Sequence, residues 1–172
     1  MPLRSFLLSL IAAAAAYTQP QPDIAAQRDA MKKLSFLAGK WSGEGTVVRG
    51  AGESVKLIQT EDVQYKLDGL VLLVEGTGRN AAGEVVFRAL ATASYDDHTH
   101  TYRWRSHSAG RYLETELKVT PGGFVWAFDG GPAKVVNTMR LTEKGEWHEI
   151  TEITSGTAPP RKTLDMTLKR LP

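Results

Sequence analysis

The residues of this chain that could do chemistry are few: the carboxylates Glu61, Glu75 and Glu149, the cations Arg103, Arg105 and His107, and the ring of Trp126. Each lies in a stretch where apolar and polar residues alternate, so each side chain points either into an interior or out to water. Glu61 shares its phase with Val55, Leu57, Gln59, Val63, Tyr65 and Leu67, and Glu75 also has Val and Leu neighbours in phase; both carboxylates are therefore expected to face inward. An inward carboxylate must be paired or must line a hydrated cavity, because burying it alone is strongly unfavourable. In a cavity it could anchor a ligand or act as an acid–base group. Arg103, Arg105 and His107 share one face of their segment, opposite Tyr102 and Trp104. Turned inward, the arginines could fork onto a ligand carboxylate or phosphate; turned outward, they simply solvate a strand. The alternation leaves both open. Trp126, with Phe124 and Phe128, makes an aromatic stripe suited to packing a core or walling a pocket.

The other chemical signals are weaker. Asp96, Asp97, His98 and His100 cluster at a turn, where polar turn residues explain them without a metal, so no metal site is expected. His148-Glu149-Ile150-Thr151-Glu152 lacks the second histidine of a zinc-protease motif and reads as a strand. Serine-hydrolase, phosphate-loop and dinucleotide signatures are missing, so the residues name no reaction. The alternating Tyr102-Arg103-Trp104-Arg105 could stack single-stranded nucleic acid, but a net charge of +2 supplies no field for it, and no nucleic-acid partner is expected. With no cysteine, disulfides, thiolate metal sites and thiol nucleophiles are excluded.

The elements that must position these residues follow from the patterning. Arg4 and the apolar run Phe6 to Ala16, ending in small residues, predict a cleaved signal peptide over 1–16, and hence a periplasmic or extracellular protein. That run is shorter than the roughly 20 residues of a membrane-spanning helix, so no stable insertion is expected after cleavage. Residues 17–22 read as a Pro-containing linker and 23–172 as one domain. Asp23 is a suitable N-cap for a helix of about four turns, with Ile24, Met31, Leu34 and Leu37 on its apolar stripe and Gly39 at its end. Beyond Gly39, turn residues recur at short intervals between segments rich in Val, Thr, Tyr, Phe and Trp. Ten strands are predicted, near 40–49, 54–67, 70–79, 84–95, 100–108, 111–119, 124–129, 133–142, 146–154 and 161–170. Short loops imply antiparallel hairpins, and closing the meander into a barrel removes its exposed edges.

At Leu34-Ser35-Phe36-Leu37-Ala38-Gly39-Lys40-Trp41-Ser42-Gly43-Glu44-Gly45 a helix runs into an F-L-x-G-x-W-x-G-x-G pattern followed by the all-β meander. With Leu67-Asp68-Gly69, Glu75-Gly76, Tyr102-Arg103-Trp104-Arg105-Ser106 and Asp165-Met166-Thr167-Leu168, this resembles the nitrobindin-like and lipocalin-like barrels of the calycin type, and among them small exported bacterial proteins of unknown function. The resemblance implies that Trp41 is a plug across the closed end, beneath the N-terminal helix. The heme-binding members add an axial histidine near the C-terminus. This chain has no histidine after His148, and His148 opposes Trp147 and Glu149 in phase, so no cofactor is expected.

These readings predict an exported barrel holding a small apolar or amphipathic molecule without catalysis, its ligand touching Glu61, Glu75, Arg103, Arg105, His107 and Trp126. An enzyme using Glu75 as acid–base beside an arginine or His107 is one alternative, and an interaction module with a filled core is another. The oligomeric state is left open by the sequence.

Overall fold

Residues 21–49 and 52–172 are described by the computed structural model; the expected signal segment and the Gly50-Ala51 turn lie outside them. Asp23 opens helix α1 (Ile24–Met31), its carboxylate accepting the Ala26 N–H at 2.9 Å. The helix is shorter than its sequence pattern predicts, because Lys32–Leu37 tightens into a 3₁₀ helix. Three residues per turn place side chains three apart on one line, which is the spacing of Met31, Leu34 and Leu37. All three are buried, whereas Ile24, expected on the same stripe, is exposed.

The ten predicted strands are all present: β1 (Gly39–Arg49), β2 (Glu53–Lys66), β3 (Val71–Arg79), β4 (Val85–Asp96), β5 (Thr101–Ser108), β6 (Arg111–Thr120), β7 (Gly123–Gly130), β8 (Ala133–Leu141), β9 (Trp147–Ser155) and β10 (Arg161–Arg170). Each pairs antiparallel with its sequence neighbour, and β1 pairs with β10 from Trp41–Arg170 to Val47–Leu164, closing the barrel. The alternation predicted for β2 holds, with Leu57 and Val63 buried inside, and β8 and β10 follow the same rule, burying Asn137, Met139, Met166 and Leu168. Leu67 leaves that set, exposed in the turn between β2 and β3. In β5, Trp104 is buried against the core, which resolves that strand's two possible faces.

The helical segment closes one end of the barrel. Tyr65 and Tyr102 donate to the carbonyls of Met31 and Ala30 at 2.6 and 2.7 Å, tying the helical segment to β2 and β5. Trp41, 1% exposed, donates from Nε1 to the Leu37 carbonyl at 2.8 Å and meets Trp147 edge to face. Arg170, the last residue of β10, lies 4.1 Å over the Trp41 ring and donates to the carbonyls of Phe36 and Ala38. Gly39 lies at φ +125°, and a Cβ there would sit 2.5 Å from the Arg170 guanidinium. At the other end of α1, Asp97 accepts from the backbone of Asp23 and the side chain of Gln27. The remaining end of the barrel carries no helix among the described residues.

Arg170→Gln removes the cation over Trp41 and both of its donated hydrogen bonds, and is expected to lower unfolding free energy by about 1–3 kcal/mol in urea titrations. The β5–β6 hairpin turns through Ala109 and Gly110, both at positive φ (49° and 74°), a conformation that disfavours alanine. Ala109→Asn is expected to raise the urea midpoint, corresponding to roughly 0.5–1 kcal/mol.

Candidate functional site

The barrel interior is layered. Beneath the helix sits a dry layer of Met31, Leu34, Leu37, Trp41, Leu72, Ala93, Leu117, Phe124, Met139, Trp147 and Leu168. Toward the open end the inward positions are only half-buried, among them Val47, Leu113, Phe128, Val135, Ile153 and Leu164. Register places them inside: Val47 pairs with Leu164, Phe128 with Val135, and Val135 with Ile153. An inward apolar side chain that water still reaches marks the wall of an open cup.

Between cup and core lies a polar layer. Gln59 donates from Nε2 to Glu61 Oε1 at 2.6 Å, and both residues are buried. Across the barrel, Glu149 accepts from Asn137 Nδ2 at 2.8 Å through Oε1 and from Trp147 Nε1 at 2.7 Å through Oε2. Asn137 also donates to Thr151 Oγ1 at 3.0 Å. Burial pushes the Glu61 carboxyl up to about 8; the bond from Gln59 opposes that rise, and the charge of Glu149 adds to it. Burial likewise raises Glu149, against its two donors. Among the described residues two buried polar atoms have no partner, Asn137 Oδ1 and Trp104 Nε1. An unsatisfied buried group is rare enough to point to a missing water or ligand. The Trp104 ring stacks with Phe124 and Trp126, and Trp126 with Phe128, so an aromatic wall adjoins this layer.

Glycines make room for the two side chains of β2. A Cβ on Gly76 would sit 2.9 Å from both Glu61 carboxylate oxygens, and one on Gly78 would sit 2.9 Å from Gln59 Oε1. This corrects the expectation for Glu75. Val71 to Val74 are apolar in both phases, so the sequence pattern did not fix the orientation of β3. The register pairs Glu61 with Gly76 and the outward Asp62 with Glu75, leaving Glu75 exposed outside. Arg103, Arg105 and His107 also face outward. Arg105 pairs with Glu114 at 3.0 Å, Arg103 lies 3.9 Å from Asp96, and His107 packs on Tyr112. Of the predicted site residues, Glu61 and Trp126 are thus inside with the plug Trp41, while Glu75, Arg103, Arg105 and His107 do not join them. Glu149 was legible as an inward carboxylate. Gln59 and Asn137 were overlooked as site residues, although each shares its phase with buried aliphatic neighbours.

The turn at Asp96 is built as its polar residues suggest: Asp96 Oδ1 accepts the backbone N–H groups of His98 and Thr99. His148 lies outside the barrel against Asp165 at 3.0 Å. Two surface depressions, of ≈ 520 Å³ over β1 and β10 and ≈ 390 Å³ between α1 and the β4–β5 turn, lie away from the interior polar layer. Neither holds a buried, unpartnered polar atom, which is why the interior is the stronger candidate.

A closed ten-stranded antiparallel meander with one short helical segment at its end is a lipocalin-like barrel. Solved structures agree. The chain is similar to Rv2717c from M. tuberculosis (TM-score 0.62, 12% identity, covering 83% of this chain and 98% of that one). It is also similar to the S-type phycobiliprotein lyase CPES from Guillardia theta (TM-score 0.57, 11% identity, covering 83% and 93%). No protein-family model and no curated protein sequence matches it. At these identities the likeness is one of fold.

Because the folded chain holds the Glu61 proton up to about pH 8 and the unfolded chain releases it near 4.5, stability falls as pH rises between those values and levels off above them. Glu61→Gln is expected to flatten this slope and to stabilise the protein at pH 8.5 by on the order of 1–3 kcal/mol, with little change at pH 4. Urea titrations across that range check it.

Proposed function

We propose that this protein is an exported, noncatalytic carrier or sensor that takes a small apolar or amphipathic molecule into the open half of its barrel. The observation that carries this reading is the cup itself: inward apolar residues of the open half are left half-exposed, above a polar layer containing unpartnered buried atoms. A core built only for stability would bury the first and satisfy the second. The CPES neighbour is an S-type phycobiliprotein lyase, and its shared architecture is compatible with an interior site. The motif order from Phe36 to Gly45 supports a nitrobindin-like assignment within this fold, and the Arg4-to-Ala16 pattern supports export. Without an inward histidine on β9 or β10, a heme-free site is the reading we favour. An acid–base role for Glu75 is not part of the proposal, since its carboxylate is outside.

Native mass spectrometry of the protein purified from its own host is expected to show the mature chain beginning near Tyr17, with a co-purifying small molecule. In vitro, an environment-sensitive apolar dye is expected to bind one-to-one. Ala89→Trp, which fills the cup from an inward, half-buried position of β4, is expected to weaken that binding about tenfold or more while leaving the fold intact. Equal dye binding by the wild type and Ala89→Trp counts against an interior site.

A further inference from the structure

The polar layer has a chemical bias that specifies the ligand more closely. Once Glu61 is ionised, the layer's unsatisfied capacity consists mainly of acceptors, with Trp104 Nε1 the orphan donor among the described residues. Glu61 receives one hydrogen bond, at Oε1 from Gln59, leaving its second oxygen available, and Asn137 Oδ1 is buried with none. Glu149 is held by two neutral donors and no cation. Asn137 is 2% exposed, and its amide nitrogen is bonded to Glu149, so its orphan oxygen belongs to the same cluster as the carboxylates. The wall beside it is aromatic, with Trp104 stacked on Trp126 and Phe124. Aromatic faces favour cations, and an ammonium offers three donors and no acceptor.

We infer that the interior site selects an amphipathic molecule whose buried end is an organic ammonium group, held by Glu61, Asn137 and Glu149 with its apolar part lying in the cup. The inference rests on the ligand-binding reading above and narrows it. The groups facing Glu61 fix the electrostatics. β1 contributes Trp41, Gly43 and Gly45, and β3 contributes Val74, Gly76 and Gly78, none of them ionisable. β8 contributes Asn137, β9 contributes Glu149 and Thr151, and β10 contributes Leu164 and Met166. Tyr65, Tyr102 and Arg170 lie at the closed end, committed to carbonyls of the helical segment. Among the described residues the outward Arg103 and Arg105 offer nothing to this layer, so a ligand carboxylate would find no guanidinium fork there. A bound ammonium would displace the Glu61 proton: the carboxylic acid loses H⁺ to solvent, and the carboxylate that remains pairs with the R–NH₃⁺. Trp104 Nε1 is left to a water or to an acceptor further along the ligand.

Isothermal titration calorimetry with octylamine, octanol and octanoate, three probes with the same chain length, tests this. Octylamine is expected to bind about tenfold or more tightly than octanol, with octanoate weakest. Its affinity is expected to rise by up to about tenfold per pH unit from pH 6 to 8, with close to one proton released per ligand, and then to level off. Glu61→Gln is expected to abolish both the preference for octylamine and the proton release. Gly76→Ala, which moves the Glu61 carboxylate without removing its charge, is expected to weaken octylamine selectively. Octanol or octanoate binding as tightly as octylamine overturns the inference, as does amine binding with no proton release at pH 7. If none of the three binds while the apolar dye still does, this inference fails and the ligand-binding reading stands; if the dye also fails, both fall.

Discussion

Everything in this molecule depends on β1 finding β10. The ladder from Trp41–Arg170 to Val47–Leu164 turns a meander with two raw edges into a cylinder with none, and it joins residues some 120 positions apart. A long-range pairing of this kind needs something to hold its ends in register. The plug serves as that anchor: Trp41 on β1 and Arg170 on β10 lie one over the other, and both bond to carbonyls of the same 3₁₀ segment. Helix, first strand and last strand are thereby fixed at one point, and the dry layer of Trp147, Phe124 and Leu168 packs around it.

Once that end is sealed, the interior divides by distance from it. Near the plug, large side chains fill the cylinder and exclude water. Midway, β3 presents Gly76 and Gly78, and the space they release is taken by Gln59 and Glu61 from the longer β2. The same small residues that permit a buried carboxyl also keep cations away from it, because no neighbouring position carries one. The result is a Glu61 carboxyl that keeps its proton well above its ordinary range, with burial raising Glu149 as well. A protein optimised only for stability would replace such a layer with packed aliphatic residues. That layer, beneath the open half of the barrel, is the basis of the small-molecule site proposed above.

The structural neighbours place this chain in a fold that hosts unrelated functions, and at 11–12% identity they carry no residue across to it. Ligand chemistry is therefore set by this chain's own side chains. The electrostatics also explain why the outward arginines are not a substitute site. Arg105 is engaged with Glu114, and Arg103 approaches Asp96, on a solvated outer face where water screens both.

The sequence by itself determined the ten strands, their short hairpins, the N-terminal helix and the inner faces of β2, β8 and β10, because in those strands one phase is apolar and the other polar. Glu61 and Gln59 were placed by that alternation. It could not orient β3, where Val71-Leu72-Leu73-Val74 is apolar in both phases, nor β5, where Tyr102 and Trp104 oppose a face of Arg103, Arg105 and His107 whose long side chains suit either environment. Only the closed barrel decided those two: register against β2 matched Glu61 with Gly76 and pushed Glu75 outside, and register against β4 set Trp104 beside the buried Ala93. The helix likewise shortened because a three-residue repeat packs Met31, Leu34 and Leu37 onto the barrel end better than a 3.6-residue one. Local alternation reports which residues share a face; which face is inside is set by pairing between strands, and that is a property of the folded chain.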